Sequence, residues 1–210
     1  MVGFDHWSTP VMKRVYFDTN QLYYIRRIAD EAGGFDYGDY QWAYRVFPND
    51  PILVGDIRAL CYIVALQYEW ELDFLPSNAS YTELVLSSGE RAVATQEAWR
   101  VFAEGLKEEY QLRPVPFEPK CRASGRLSLT FVKDAADRII IRDAIAWEAD
   151  VLLTCDNKHI LPHQTRLREL GITVMRPSVW LNKFLGNVKR ADEDAVDWVQ
   201  RVLFCVGKGA

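Results

Sequence analysis

The sequence predicts an α/β fold with a central, mainly parallel sheet flanked by helices. Short aliphatic runs at 11 to 17, 72 to 75, 151 to 154 and 172 to 175 are bounded by turn-forming residues, as buried strands are. Longer segments of helical periodicity separate them, and strands alternating with helices belong to parallel sheets because parallel neighbours need a crossover. At 210 residues, with 49% hydrophobic content, the chain can bury a substantial core and fits one domain over 1 to 210.

Residues 11 to 17 read as the first strand, closed by Asp18-Thr19-Asn20, which suit a turn or helix start. A helix is expected to about Arg27. From about 31 to 52 the chain carries Gly33-Gly34 and many Asp, Tyr and Trp residues, an irregular aromatic-rich insert by composition. Residues 53 to 69 form an apolar helical pattern, and 72 to 75 a short strand stopped by Pro76. Helices are expected near 80 to 87 and 90 to 110. Prolines at 114, 116 and 119 mark a connection, in which 127 to 131 alternate like a strand. From Asp134 the pattern sharpens: a helix to about Ala149, the strand 151 to 154, a helix near 164 to 170, the strand 172 to 175, and helices around 178 to 185 and 191 to 204. The last lies in a C-terminal helical extension at about 187 to 206.

A net charge of −4 argues against a protein that binds polyanions through bulk positive charge, so any nucleic acid must be met locally, by metal ions and short basic clusters. No apolar stretch approaches the length of a membrane span, and the first ten residues lack the basic-then-apolar build of a secretory leader. A cytoplasmic location without membrane contact is therefore expected. Cys61, Cys121, Cys155 and Cys205 form no C-x-x-C pair, which suggests reduced, partly buried thiols. Neither a glycine-rich nucleotide loop nor a nucleophile elbow occurs.

In parallel sheets, ligands gather beyond the carboxyl ends of the strands. Asp18 ends the first strand, and Asp156 lies two residues beyond Thr154, the end of a later one. Glu83 falls in the first turn of the helix after 72 to 75, and Asp137 in the first turn of the helix before 151 to 154. These four acids are expected to converge on one edge. Clustered carboxylates repel one another and resist desolvation, so their convergence implies bound cations. Hard oxygen ligands suit Mg2+ or Mn2+, as one or two ions. Such ions activate water and offset charge on a leaving oxygen, which points to phosphodiester hydrolysis.

The segments V-Y-F-D-T-N-Q-L, S-N-A-S-Y-T-E-L and A-A-D-R-I-I-I-R-D-A-I-A-W-E-A-D-V-L-L-T-C-D together resemble the PIN-domain family of nucleases over most of the chain. The last is the most specific, since an acid opens a helix, Ala-Asp ends it, and an aliphatic strand leads into T-x-D. The resemblance implies a PIN-like fold and Mg2+ or Mn2+ bound by Asp18, Glu83, Asp137 and Asp156, with Asn20 and Thr154 in support. It further implies a metal-dependent endoribonuclease with RNA as substrate, and family members include toxins of toxin-antitoxin pairs, whose partner is an antitoxin protein. Longer segments between Asp18 and Glu83, and before Asp137, depart from the compact toxins.

Other readings stand beside these. Ser80-Tyr81-Thr82-Glu83 is also a capping-box sequence. Asp137 and Asp134 suit a helix's first turn for reasons of dipole alone, and Asp134 is placed to pair with Arg138. Asp143 faces away from Asp137 around the helix. His159 and His163 stand four apart, but Pro162 interrupts them and no third ligand is evident, so they read as surface or phosphate-contacting residues. Arg138 and Lys158 are the foremost candidates for substrate phosphate contacts, followed by Lys13, Arg14, Arg142, Lys120, Arg122, Arg126 and Lys133. Tyr37, Tyr40, Trp42 and Tyr44 are candidates to stack on unpaired bases, or to pack against the protein or a partner. The competing function classes are a non-catalytic nucleic-acid or protein-binding module and a DNA-directed nuclease of the same fold. A homodimer is the commonest assembly for a chain of this kind.

Overall fold

The computed structural model describes residues 14–32, 40–65, 72–75, 89, 92, 93, 95–97, 99, 100, 104 and 128–186. In chain order these form β1 (Arg14–Phe17), α1 (Thr19–Ala32), α2 (Gln41–Val46), α3 (Pro51–Ala65), β2 (Asp73–Leu75), α4 (Ala135–Ala146), β3 (Val151–Leu153), a 3-10 turn (Leu161–His163), α5 (Gln164–Glu169), β4 (Thr173–Met175) and α6 (Pro177–Gly186). The strands make a four-stranded, all-parallel sheet in the order β2-β1-β3-β4. The chain leaves β1 for β2 on one side and returns to β3 on the other. The order therefore reverses at the β1/β3 pair, where Val15 faces Val151 and Phe17 faces Leu153. In open α/β sheets the carboxyl ends of such a pair flank the ligand crevice.

Side chains alternate across the sheet and build two cores. Val15, Phe17, Phe74, Val151 and Leu153 pack with α1, α3 and α6 on one face. Tyr16, Leu75, Leu152 and Val174 pack with α4 and α5 on the other, under Leu129 and Val132. Burying each large apolar side chain contributes about 1.5–3 kcal/mol. Phe17 also meets Phe74 edge-on, with ring centroids 5.0 Å apart.

Local signals set the helix ends. Asp134 caps α4 by accepting from the N–H groups of Ala136 and Asp137. At its far end Glu148 adopts a left-handed φ of 53°, with Glu148 N–H donating to Ile145 O and Ala149 N–H to Ala144 O. Gly171, at φ 90°, closes α5 in the same way, through Gly171 N–H to Arg168 O and Ile172 N–H to Leu167 O. Both are helix-ending motifs in which a left-handed residue satisfies the last carbonyls.

Several expectations are corrected. α1 continues to Ala32 rather than ending near Arg27. The insert is not wholly irregular, since α2 forms within it around buried Trp42 and Ala43. Packing on α1 and α3 outweighs a polar, aromatic composition there. α3 begins at Pro51 because Asp50 Oδ1 accepts the Leu53 N–H at 2.9 Å, an N-cap followed by proline in the first helical position. Residues 128 to 131 are not strand: Val132 N–H bonds Leu129 O at 3.0 Å and closes a turn there. The described residues between 92 and 104 are helical, in line with the helix expected at 90 to 110. The helices expected at 80 to 87 and 191 to 204 lie outside the described residues. Among the described residues, no helix is long and apolar enough to cross a membrane.

Candidate metal centre

Because all four strands are parallel, β1 and β3 deliver Asp18 and the Thr154-Cys155-Asp156 turn to the same edge. Asp18 is almost fully buried. Its Oδ2 accepts the Thr154 hydroxyl at 2.5 Å, and its Oδ1 accepts the Asn20 backbone N–H at 2.8 Å. The Thr154 hydroxyl oxygen in turn accepts the Asp156 N–H at 3.0 Å. Thr154 thus joins the two strand ends, which a valine of the same shape could not do. Asn20 contributes through its backbone amide.

Asp156 divides its oxygens between two tasks. Oδ1 accepts the N–H groups of Lys158 and His159 at 2.7 and 2.9 Å, which fixes the turn. Oδ2 lies 3.2 Å from His159 Nδ1. Asp137 enters from the first turn of α4, which starts at this edge. Its Oδ2 is buried and has no hydrogen-bond partner, and His159 Nδ1, at 3.5 Å, is too far for a good one. Burial first, then the charges of Asp156, Asp134 and Asp18, raise the Asp137 carboxyl from 3.8 to about 6, with His159 opposing them. Asp137, Asp156 and His159 offer ligand atoms that all lie within 4.8 Å of one another. Asp18 adjoins this group, tied through Thr154 and felt by Asp137 as a charge, rather than lying inside that distance.

A divalent cation fits this donor set on physical grounds. Two carboxylates and an imidazole converge, a third carboxylate adjoins, and one buried oxygen lacks a donor, an arrangement that positive charge would relieve.

Of the four acids expected at the site, the structure gathers Asp18, Asp137 and Asp156 at one edge, while Glu83 lies outside the described residues. Lys158 is exposed next to the cluster and supplies a backbone N–H to Asp156. Arg138 does not pair with Asp134. Its guanidinium donates to the carbonyls of Val132 and Lys133 at 2.8 and 3.1 Å, because Asp134 is committed to capping. Arg14 lies at the start of β1, on the opposite edge of the sheet, with Glu148 and Asp150, and cannot serve the crevice. Asp143 accepts from Tyr16 Oη at 2.7 Å, consistent with its expected orientation away from the site. Trp42 is buried beneath the Arg27 guanidinium, 4.5 Å from the ring centroid, so it is closed to bases, whereas Tyr44 is exposed. Lys13, Tyr37, Lys120, Arg122 and Arg126 lie outside the described residues.

His159 is the site residue that the sequence reading set aside. Spacing four from His163 drew attention to the wrong partner, since His163 packs edge-on against Phe131 at 5.2 Å. The informative spacing was three, back to Asp156, within a turn that the aspartate itself caps.

Comparison of the chain with protein-family models, with curated proteins and with solved structures gives no match.

Proposed function

We propose that this chain is a metal-dependent phosphodiesterase of PIN-like fold that hydrolyses RNA. The observation that carries the reading is the convergence of Asp18, Asp137 and Asp156 at the switch point of a parallel sheet, with one buried carboxylate oxygen lacking a donor. Two parts of the sequence that carries the resemblance, the helix opened by Asp134 to Asp137 and the T-x-D turn, supply Asp137 and Asp156 to that edge. Asp137 and Asp156, with His159 beside them and Asp18 adjoining, would hold Mg2+ or Mn2+, and Glu83 is the fourth acid proposed. Such an ion supplies charge neutralisation and activates water for attack on phosphorus.

The chain's own residues do the rest. Thr154 holds Asp18 against the Asp156 turn, so that both strand ends keep one spacing. Asp156 Oδ1 freezes its turn and leaves Oδ2 for the ligand side. Lys158, exposed two residues after Asp156, is the side chain assigned to a substrate phosphate in this reading. The net charge of −4 makes such local contacts, rather than a general positive field, the means of holding a polyanion.

The test is incubation of the purified protein with single-stranded RNA and DNA of mixed sequence in Mn2+ or Mg2+, beside the Asp156→Asn variant. Cleavage of RNA by wild type that EDTA and the substitution both abolish is expected. Cleavage of DNA alone would shift the reading to a DNA-directed nuclease. Metal-independent cleavage would contradict the metal-dependent mechanism, and no cleavage over a broad substrate range would favour a binding module.

A further inference from the structure

Behind the carboxylates lies a second set of polar groups centred on Asp56. It sits within the apolar run of α3 and is fully buried. A buried carboxylate is costly unless charge and hydrogen bonds compensate it. Arg176, in the link from β4 to α6, supplies the charge: its Nε donates to Asp56 Oδ2 at 2.7 Å, and a terminal guanidinium nitrogen contacts the same oxygen. The Ser178 N–H and hydroxyl donate to Oδ1 at 3.1 and 2.6 Å.

This pair reaches both neighbours of Asp156. On one side, Cys155 Sγ lies 3.3 Å from Asp56 Oδ2 and 3.8 Å from Gln21 Oε1. On the other side, Arg176 Nη1 donates to Asn157 Oδ1 at 2.7 Å.

We infer that Arg176 and Asp56 are positioning residues for Asp156, gripping the chain immediately before and after it so that its Oδ2 faces Asp137 and His159. The inference rests on the metal-centre reading proposed above. An arginine suits the task because its planar fork can hold Asp56 and Asn157 at once, whereas a lysine offers one compact charge. Asn157 is exposed, so truncating it severs the outer grip while leaving the buried pair intact.

The experiment compares Mn2+ affinity, read by electron paramagnetic resonance of the free ion, in wild type, Asn157→Ala and Arg176→Lys, together with kcat, KM and the thermal midpoint. Loss of an outer support of this kind weakens metal binding on the order of 10-fold. That loss is expected in both variants, with kcat falling, KM for RNA unchanged, and the thermal midpoint of Asn157→Ala at the wild-type value. Should Arg176→Lys fail to fold, Asn157→Ala alone decides the matter. Wild-type Mn2+ affinity and kcat in Asn157→Ala would overturn the inference and leave the metal centre standing. Absence of Mn2+ binding in wild type would remove the metal-centre reading and this inference with it.

Discussion

Replacing Asp137 with asparagine should make the metal-free protein more stable at neutral pH. The carboxyl is raised from 3.8 to about 6, by burial first and then by Asp156, Asp134 and Asp18. The folded state therefore holds this proton more tightly than the unfolded chain does. Its contribution favours folding below about 3.8 and is lost as pH rises through about 6. A displacement of that size corresponds to about 3 kcal/mol of unfavourable interaction at pH 7.5. Solvent screening at the open edge of the site reduces the expected gain to about 1–2 kcal/mol. Urea denaturation in EDTA, followed by the fluorescence of the buried Trp42 and Trp180, measures it. Asp137→Asn should exceed wild type at pH 7.5, and the difference should close as pH falls below 4. Millimolar Mn2+ should then stabilise wild type and leave the variant unmoved, reversing the order. A variant no more stable than wild type at pH 7.5, with no pH dependence in the difference, would refute the claim that this carboxylate is held at a cost.

Thr154→Val removes the hydroxyl between Asp18 and Asp156. It should cost about 1–3 kcal/mol, because the buried Asp18 oxygen loses its donor, and should also lower metal-dependent activity; urea denaturation and the cleavage assay read both. The two helix-ending residues should respond in opposite directions to exchange. Gly171→Ala, forced to hold φ 90°, should lose about 1–2 kcal/mol in thermal or urea denaturation. Glu148→Gly should gain up to about 1 kcal/mol, since its surface pairing with Arg14 contributes little.

The strands were legible because buried parallel strands are short aliphatic runs with turns on either side. β1 to β4 fall inside the four runs read from the sequence. The site followed from strand ends, a rule that needs only chain direction and so placed Asp18 and Asp156 without coordinates. α2 was missed because its stability comes from Trp42 packing under Arg27, a tertiary effect that composition does not carry. The pairing of Arg138 was misread because helix spacing permits the Asp134 contact, while capping uses the same carboxylate first. Asp56 and Arg176 stand 120 positions apart. An acid within an apolar helix signals a buried partner without saying which one. His159 required the geometry of a single turn, and Glu83 keeps both its readings, as ligand and as cap.

The most direct test of the central claim is anomalous diffraction from crystals of the protein soaked in Mn2+. The account predicts a peak bounded by Asp137, Asp156 and His159, on the side that Asp18 adjoins, absent from Asp137→Asn crystals treated alike. A fully soaked crystal without density there, or with manganese bound only elsewhere, would contradict it.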